Sequence, residues 1–348
     1  MSRHVHLFPI EPIEERYSAD WHRWWPDALR RYGFEVTVYD GDQLGGQQRG
    51  EAIRRGQFLD AVDTHYYKAT QLAGFCEAVE NGHVHDGDVV LLLDGWNPAV
   101  TSLAYMRDVA GIKFKIVLVL HAGTWDPFDH LTQCGLWRWA RKNESGWMAA
   151  ADRILVATEF HHDMLMQRID ADIRDKVEVT GFPLDLAELD HYRKPWAARP
   201  MQVVFPHRLA AEKRPEDFDA LREAYSQAYP EDAVTWVRTQ DLLVPGEPTK
   251  PRLYHALGES RVAFSAAQQE TWGIVQLEAW YLGAIPVVPD ALSYRELYPD
   301  AWRYPYGNLA IAVECVHSAL HRIGPVSFDP GRDPRDAWGP IYRALELA

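Results

Sequence analysis

The chain has 348 residues, enough for two domains of ordinary size. Hydrophobic residues make up 47% and charged residues 25%, a balance that builds a large core and excludes a disordered or fibrous chain. Against 36 Lys and Arg stand 50 Asp and Glu, a net charge of −14 that repels phosphate backbones and anionic membranes and excludes a non-specific nucleic-acid coat.

Short apolar runs alternate with helical patterns along the chain, the rhythm of doubly wound parallel sheets. Residues 5–10 read as the first strand, followed by a Pro- and Glu-bearing stretch, 9–21, read as a loop. A helix is expected between Arg23 and Tyr32, with Trp24, Trp25 and Leu29 on one face and Gly33 as its stop; Pro26 is tolerable only in its first turn. Residues 35–39, 88–93, 115–120, 153–157 and 176–179 read as further strands, and the fully apolar Val89 to Leu93 suits a strand covered on both faces. After the polar stretch 191–200 the rhythm restarts, with strands at 202–205, 233–238, 261–264 and 285–288. The expected division is 1–194 and 195–333, and a helix at 334–348 can pack back on either half. Two Asp-Gly-Asp triplets, at 40–42 and 86–88, read as turns rather than metal ligands. His4, His6, His161 and His162 lack metal-protease spacing and read as structural. Three scattered cysteines, Cys76, Cys134 and Cys315, point to a reducing compartment. Glu11, Glu14 and Glu15 stand where a signal peptide needs an apolar run, and no stretch is apolar enough to span a membrane, so the expectation is a cytoplasmic protein.

The densest chemistry lies in Phe264-Ser-Ala-Ala-Gln-Gln-Glu270-Thr-Trp-Gly273-Ile-Val-Gln-Leu-Glu278, followed by Gly283-Ala-Ile-Pro286. A strand runs into a loop holding Glu270, and a helix opens near Gly273. The first N–H groups of that helix, on Gly273, Ile274 and Val275, suit a diphosphate. Glu278, about one turn on, can reach ribose hydroxyls, while Glu270 can accept from a hexose. For these two Glu alone, a solvated helix face remains an equal alternative.

This stretch resembles the Glu-x7-Glu signature of retaining GT-B glycosyltransferases of the family 4 type. Arg208-Leu-Ala-Ala-Glu-Lys213, just after the first strand of the second half, resembles that family's Arg-Leu-x-x-x-Lys element. The resemblance implies that Arg208 and Lys213 neutralise the donor diphosphate, and a leaving diphosphate does need fixed cations aimed at it. Ser293-Tyr-Arg-Glu296 resembles the family's donor-side loop. His121, ending the strand at 115–120, resembles the family's His that contacts the donor sugar; as a residue it can equally be structural. Asp94 ends the preceding strand, where it can orient an acceptor hydroxyl or cap the next helix. The fold implied is GT-B: two Rossmann-like doubly wound parallel-sheet domains facing across a cleft.

The start of the chain departs from that pattern. In place of a Gly-rich turn stands a loop containing Glu11, Glu14, Arg16 and Tyr17, which with Trp96 and Trp125 forms the expected acceptor side. This loop, together with Asp63-Thr-His-Tyr-Tyr67-Lys68, Asp94-Gly-Trp96, the 121–129 segment, 157–162 and 179–183, is similar to glycosyltransferases encoded by tailed bacteriophages. That resemblance implies host-cytoplasmic transfer of a sugar to hydroxymethylated or hypermodified pyrimidines in phage DNA. The donor expected is a nucleotide-sugar, a UDP-sugar first, with no cofactor and no metal. DNA contact then has to come from a local patch, Arg49, Arg54, Arg55, Arg138 and Lys142. Leu136-Trp137-Arg138-Trp139-Ala-Arg141-Lys142 can stack an extruded base, although packing of Trp137, Trp139 and Trp147 against the sheet is the favoured reading. Transfer to a glycan or small molecule, nucleotide-sugar epimerisation on the same fold, and donor binding without turnover remain alternatives.

Overall fold

The computed structural model describes residues 3–13, 16–44, 60–244 and 247–348. Glu14, Glu15, Arg49, Arg54 and Arg55 lie outside them. The chain forms two compact units, Met1–Phe182 with Asp336–Ala348, and Pro183–Arg335.

The first unit carries a six-stranded, wholly parallel sheet of β1 (His4–Phe8), β2 (Glu35–Val38), β3 (Val89–Leu92), β4 (Lys115–Val119), β5 (Arg153–Val156) and β6 (Val177–Val179), in the order β2-β1-β3-β4-β5-β6. All four residues of β3 are buried, as befits a central strand with helices on both faces, while edge strand β2 alternates exposed and half-buried positions. The chain goes from β1 outward to β2, then back past β1 to β3, so the order reverses between β1 and β3. In such sheets ligands bind at the carboxyl ends beside that reversal.

Helix α1 runs over Tyr17–Tyr32, six residues earlier than its expected start, and Pro26 sits inside it rather than in its first turn. A proline there costs about 3 kcal/mol through a lost hydrogen bond and a clash. Trp21, Trp25 and Leu29 on the same face are each 0% exposed, and burying such side chains contributes about 2 kcal/mol or more apiece, which offsets it. The first turns are not legible in the sequence because the polar stretch before Trp21 carries no apolar period. Gly33 does end the helix, with φ 113°. Helix α2 (Ala61–Glu80) is N-capped by Asp60, whose side chain accepts from the N–H groups of Val62 and Asp63. Helices α3 (Ala99–Ala110), α4 (His130–Gln133), α5 (Trp137–Ala150), α6 (Glu159–Met166) and α7 (Ala171–Arg174) complete the sequence of crossovers.

The second unit has a five-stranded parallel sheet, β7 (Gln202–Phe205), β8 (Thr235–Arg238), β9 (Val262–Phe264), β10 (Ile285–Pro289) and β11 (Arg303–Tyr304), ordered β11-β10-β9-β7-β8. Its reversal lies between β7 and β9. The two-residue β11 escaped the sequence reading because so short a run has no period. Helices α8 (Pro215–Ala228), α9 (Thr249–Glu259), α10 (Ile274–Leu282), α11 (Tyr294–Leu297) and α12 (Leu309–Leu320) pack around it.

The boundary falls at Phe182, twelve residues before the expected one at 194. The intervening 3-10 stretch, Leu186–Tyr192, belongs with the second unit because Tyr192 packs on Tyr254, 5.5 Å between rings, and Asp190 accepts from the Tyr281 hydroxyl at 2.7 Å. Helix α13 (Trp338–Leu347) packs on the first unit: Trp338 meets Trp25 edge-on at 5.0 Å and Tyr342 stacks on Tyr32 at 3.8 Å. Arg3 fixes its end by donating to the carbonyls of Leu345 and Glu346, both at 2.6 Å. Among the described residues no helix is long and apolar enough to cross a membrane.

Candidate functional site

In the second unit the charged residues gather at the reversal point. The loop after β7 carries His207 and Arg208 and turns through a short 3-10 segment, Ala211–Lys213. The loop after β9 carries Glu270 and opens into α10 at Gly273. The two loops are joined: Gln268 N–H donates to the Glu212 carbonyl at 2.7 Å, and Lys213 Nζ donates to the Gln269 carbonyl at 2.6 Å. Lys213 is 8% exposed, and its ammonium also sits 3.2 Å from Glu270 Oε2.

Glu270 bridges two positive elements. Its other oxygen, Oε1, accepts from Gly273 N–H at 2.9 Å at the start of α10. The carboxylate therefore lies between a buried ammonium and the positive end of a helix dipole. Gly273 takes φ 78°, and a Cβ there would come within 3.2 Å of the Tyr294 ring, so backbone conformation and close approach both require glycine. Among the described residues, the N–H groups of Ile274 and Val275 have no backbone partner.

Arg208 is exposed and pairs with Glu212. Burial alone would raise the Glu212 pKa, but the hydrogen bond and charge of Arg208 hold it below the usual range. Glu278 accepts from the Tyr254 hydroxyl at 2.9 Å, a partner on α9 that orients it. Beneath the site, His207 Nε2 and the Tyr294 hydroxyl both meet Ser265 Oγ, at 2.8 and 2.9 Å. Burial, with Lys213 and Arg208 nearby, pushes the His207 pKa well below its usual value, so this imidazole is neutral. Ser293 Oγ reaches the Glu270 carbonyl at 3.3 Å, while Glu296 is paired with Arg332 at 2.8 Å.

The first unit builds a second cluster at its own reversal point. Asp94, just past β3, accepts from Lys68 Nζ at 2.6 Å and from Trp96 N–H at 3.0 Å. Lys68 also donates to the Trp96 carbonyl at 2.8 Å, which ties this loop to α2. Burial would raise the Asp94 pKa, but the charge and hydrogen bond of Lys68 outweigh it and keep the carboxyl ionised. His121 Nε2 lies 2.7 Å from the Leu93 carbonyl, which only an N–H can satisfy, leaving Nδ1 to accept from the Tyr17 hydroxyl at 3.3 Å. Burial lowers the His121 pKa against the opposing charge of Asp94, so the ring is neutral near pH 7. The ring also packs on Trp21 and Phe182, at 5.1 and 4.9 Å. Next to it His161 is 1% exposed and pushed down to about 3 by burial.

Of the residues expected on the acceptor side, Glu11 is buried and accepts from the Thr64 hydroxyl at 2.8 Å. Arg16 is the cap residue of α1 and Tyr17 its first residue, so the loop read there is partly helix. Trp96 packs edge-on against Trp147 at 5.1 Å. The Arg141 guanidinium lies 5.1 Å over Trp125 and 5.3 Å over Trp137. Trp147 is buried as expected, but Trp137 and Trp139 are 41% and 49% exposed, which overturns the packing reading for both. The helix turns them outward because Ala140, Glu144, Trp147 and Met148 form its buried stripe.

Three contributors, Lys68, Glu144 and Tyr254, stand outside the expected site residues, although Lys68 lies in one of the segments of the phage resemblance. Lys68 lies on the buried stripe of α2, with Thr64, Tyr67, Gln71 and Phe75, and Glu144 lies on that of α5. A charge on an otherwise buried face signals a partner elsewhere in the fold, and that spacing was there to find. Tyr254, behind Glu278, carries no such signal.

Two parallel Rossmann-like sheets with helices define the GT-B fold. Solved structures agree. The chain is similar to sucrose-phosphate synthase from Thermosynechococcus elongatus, with TM-score 0.64 and 12% identity over 99% of this chain and 94% of that one. It is similar to the catalytic domain of starch synthase IV from Arabidopsis thaliana bound to ADP and acarbose, TM-score 0.59 and 12% identity over 99% of both chains. It is likewise similar to trehalose 6-phosphate synthase from Burkholderia multivorans, TM-score 0.59 and 12% identity over 100% of this chain and 93% of that one. These are GT-B glycosyltransferases. No family model matches the sequence.

Proposed function

We propose that this protein is a retaining glycosyltransferase that moves a sugar from a nucleoside diphosphate sugar, a UDP-sugar first, to a hydroxyl acceptor. One observation carries the reading: at the reversal point of the second sheet, Lys213, Glu270 and the N-terminus of α10 are held together by the bonds joining two loops. The helix end and Lys213, with Arg208 from the same loop, offer a diphosphate both N–H donors and cations. Glu270 and Glu278 offer acceptors for sugar hydroxyls. The starch synthase of similar fold is bound to ADP, a nucleoside diphosphate.

In the transfer itself the bond from the anomeric carbon to the diphosphate oxygen breaks as the bond to the acceptor oxygen forms on the same face. The acceptor proton passes to the departing diphosphate. The protein's share is positioning and stabilisation of the charge that grows on the leaving group. Arg208 and Lys213 supply that stabilisation, and no metal is needed for it. Asp94, kept ionised by Lys68, accepts a hydrogen bond from the acceptor hydroxyl, and the neutral His121 ring contacts the sugar when its Nδ1 gives up Tyr17.

The acceptor we propose is a hydroxymethylated or hypermodified pyrimidine in DNA. Support comes from Trp137 and Trp139, exposed beside Arg138, Arg141 and Lys142, as a stacking surface with local cations on an otherwise acidic protein. Radiolabelled nucleotide-sugars incubated with DNA containing hydroxymethylcytosine, hydroxymethyluracil or only ordinary bases provide the test. Label confined to modified DNA is the expected result. Donor hydrolysis without label in any DNA would refute the DNA acceptor and leave the transferase; neither hydrolysis nor transfer with any donor would refute both.

A further inference from the structure

At the amino-terminal edge of the second sheet, away from the carboxyl ends that carry Lys213 and Glu270, four polar side chains converge. Asp232 lies in the connection from α8 to β8; His317 and His321 are one helical turn apart at the end of α12. Asp232 Oδ2 is 2.9 Å from His321 Nε2 and 3.4 Å from His317 Nδ1. The Tyr225 hydroxyl, from α8, is 2.6 Å from the same carboxylate oxygen and 3.1 Å from His317 Nδ1.

We propose that Asp232, His317 and His321 form a binding site for a divalent transition metal of the Zn2+ class, a clip that fastens the α8–β8 connection to α12. Ligand atoms bound at about 2.0 to 2.1 Å around a tetrahedral zinc ion lie roughly 3.3 Å apart, and the observed separations, 2.9 and 3.4 Å, bracket that value. Two imidazoles and a carboxylate suit zinc, with a fourth position left for water. Histidines four residues apart on one helix face converge on one ion without backbone change.

The surroundings hold the ligands in place. His317 stacks on Tyr229 with ring centroids 3.7 Å apart and 6° between planes. Without a metal the Tyr225 hydroxyl donates to Asp232 and its oxygen can accept from His317 Nδ1–H. With a cation between the ligands, Tyr225 donates to Asp232 alone and acts as its outer support. Side-chain exposures of 17%, 32% and 44% for Asp232, His317 and His321 leave an entry path from solvent.

The test uses the full chain, stripped with chelator and titrated with Zn2+ by calorimetry, and in parallel with Co2+ by visible absorption. One ion per chain, the intense visible bands of tetrahedral Co2+, and a Tm increase of about 5 °C at saturating Zn2+ are expected. His321→Ala and Asp232→Asn should each weaken binding at least tenfold, while His162→Ala, at a separate His and carboxylate group on α6, should leave it unchanged. Because His321 is the exposed cap residue of α12, its variant should keep the fold, and circular dichroism of the metal-free variant checks this. Wild-type affinity retained in both site variants, binding lost in His162→Ala instead, or no saturable binding by the wild type would overturn the proposal.

Discussion

Each of the two sheets collects charge where its strand order reverses, but the two collections are assembled differently. In the second unit, Arg208 meets Glu212 four residues on and Glu270 meets the Gly273 N–H three residues on, so each loop is organised locally, and the two loops are then joined by Lys213 and Glu270, 57 residues apart. In the first unit, Asp94 depends on Lys68, 26 residues away on α2, and the Thr124 loop depends on Glu144, 20 residues on. The second unit's cluster is built from two local motifs on neighbouring strands, whereas the first unit's cluster is built from helix faces that meet loops only after folding. Local motifs can be read along a chain, but helix faces need the sheet to bring them together.

The sharpest way to break that contrast is at Lys213. In the proposed reaction, replacing it by Ala removes a fixed cation from the diphosphate, and transfer should then fall by on the order of 10² to 10³ in kcat. Arg208→Ala should cost less, about tenfold, since Arg208 is exposed and shares its charge with Glu212. Equal turnover in both variants and wild type, with donor binding intact, would remove the assigned role.

In the first unit the largest effect should be on stability. Lys68→Met leaves Asp94 without its counter-ion, and Asp94→Asn leaves the nearly buried Lys68 ammonium unpaired. Each should cost about 3 kcal/mol in urea unfolding, while the double variant costs less than the sum. Strict additivity would show that the pair does not act as a unit.

A smaller effect concerns Glu144, 2% exposed beneath the Thr124 loop. Burial pushes its pKa up from 4.5 to about 7, against the opposing hydrogen bonds from Thr124. The folded protein thus holds this proton more tightly than the unfolded chain does. Its favourable contribution is complete below about pH 4.5 and is lost as pH rises through 7. Relative to Glu144→Gln, which keeps the shape without the titration, the wild type should lose on the order of 3 kcal/mol across that window. A constant difference between the two proteins from pH 4.5 to 7.5 would exclude the shift.

The architecture is legible along the chain. Ten of the eleven strands stand where the sequence reads them; central strands such as β3 write an unbroken apolar signature because both faces are covered, while edge strands such as β2 show a weaker, alternating one. The sequence also marked the segments carrying Arg208, Lys213, Glu270, Gly273 and Glu278, since their spacing follows from one strand, one loop and one helix turn. Tertiary structure decided what spacing cannot express. It set the start of α1, where two buried tryptophans outweigh a proline, and it seated α13 on the first unit through Trp25 and Tyr32. It turned Trp137 and Trp139 outward while Trp147 went in, and it gave Asp94, Glu278 and Asp232 their partners. The physical reason is common to all of these: burial and ion pairing join residues far apart in the chain, so their energy depends on the packed fold rather than on any segment read alone.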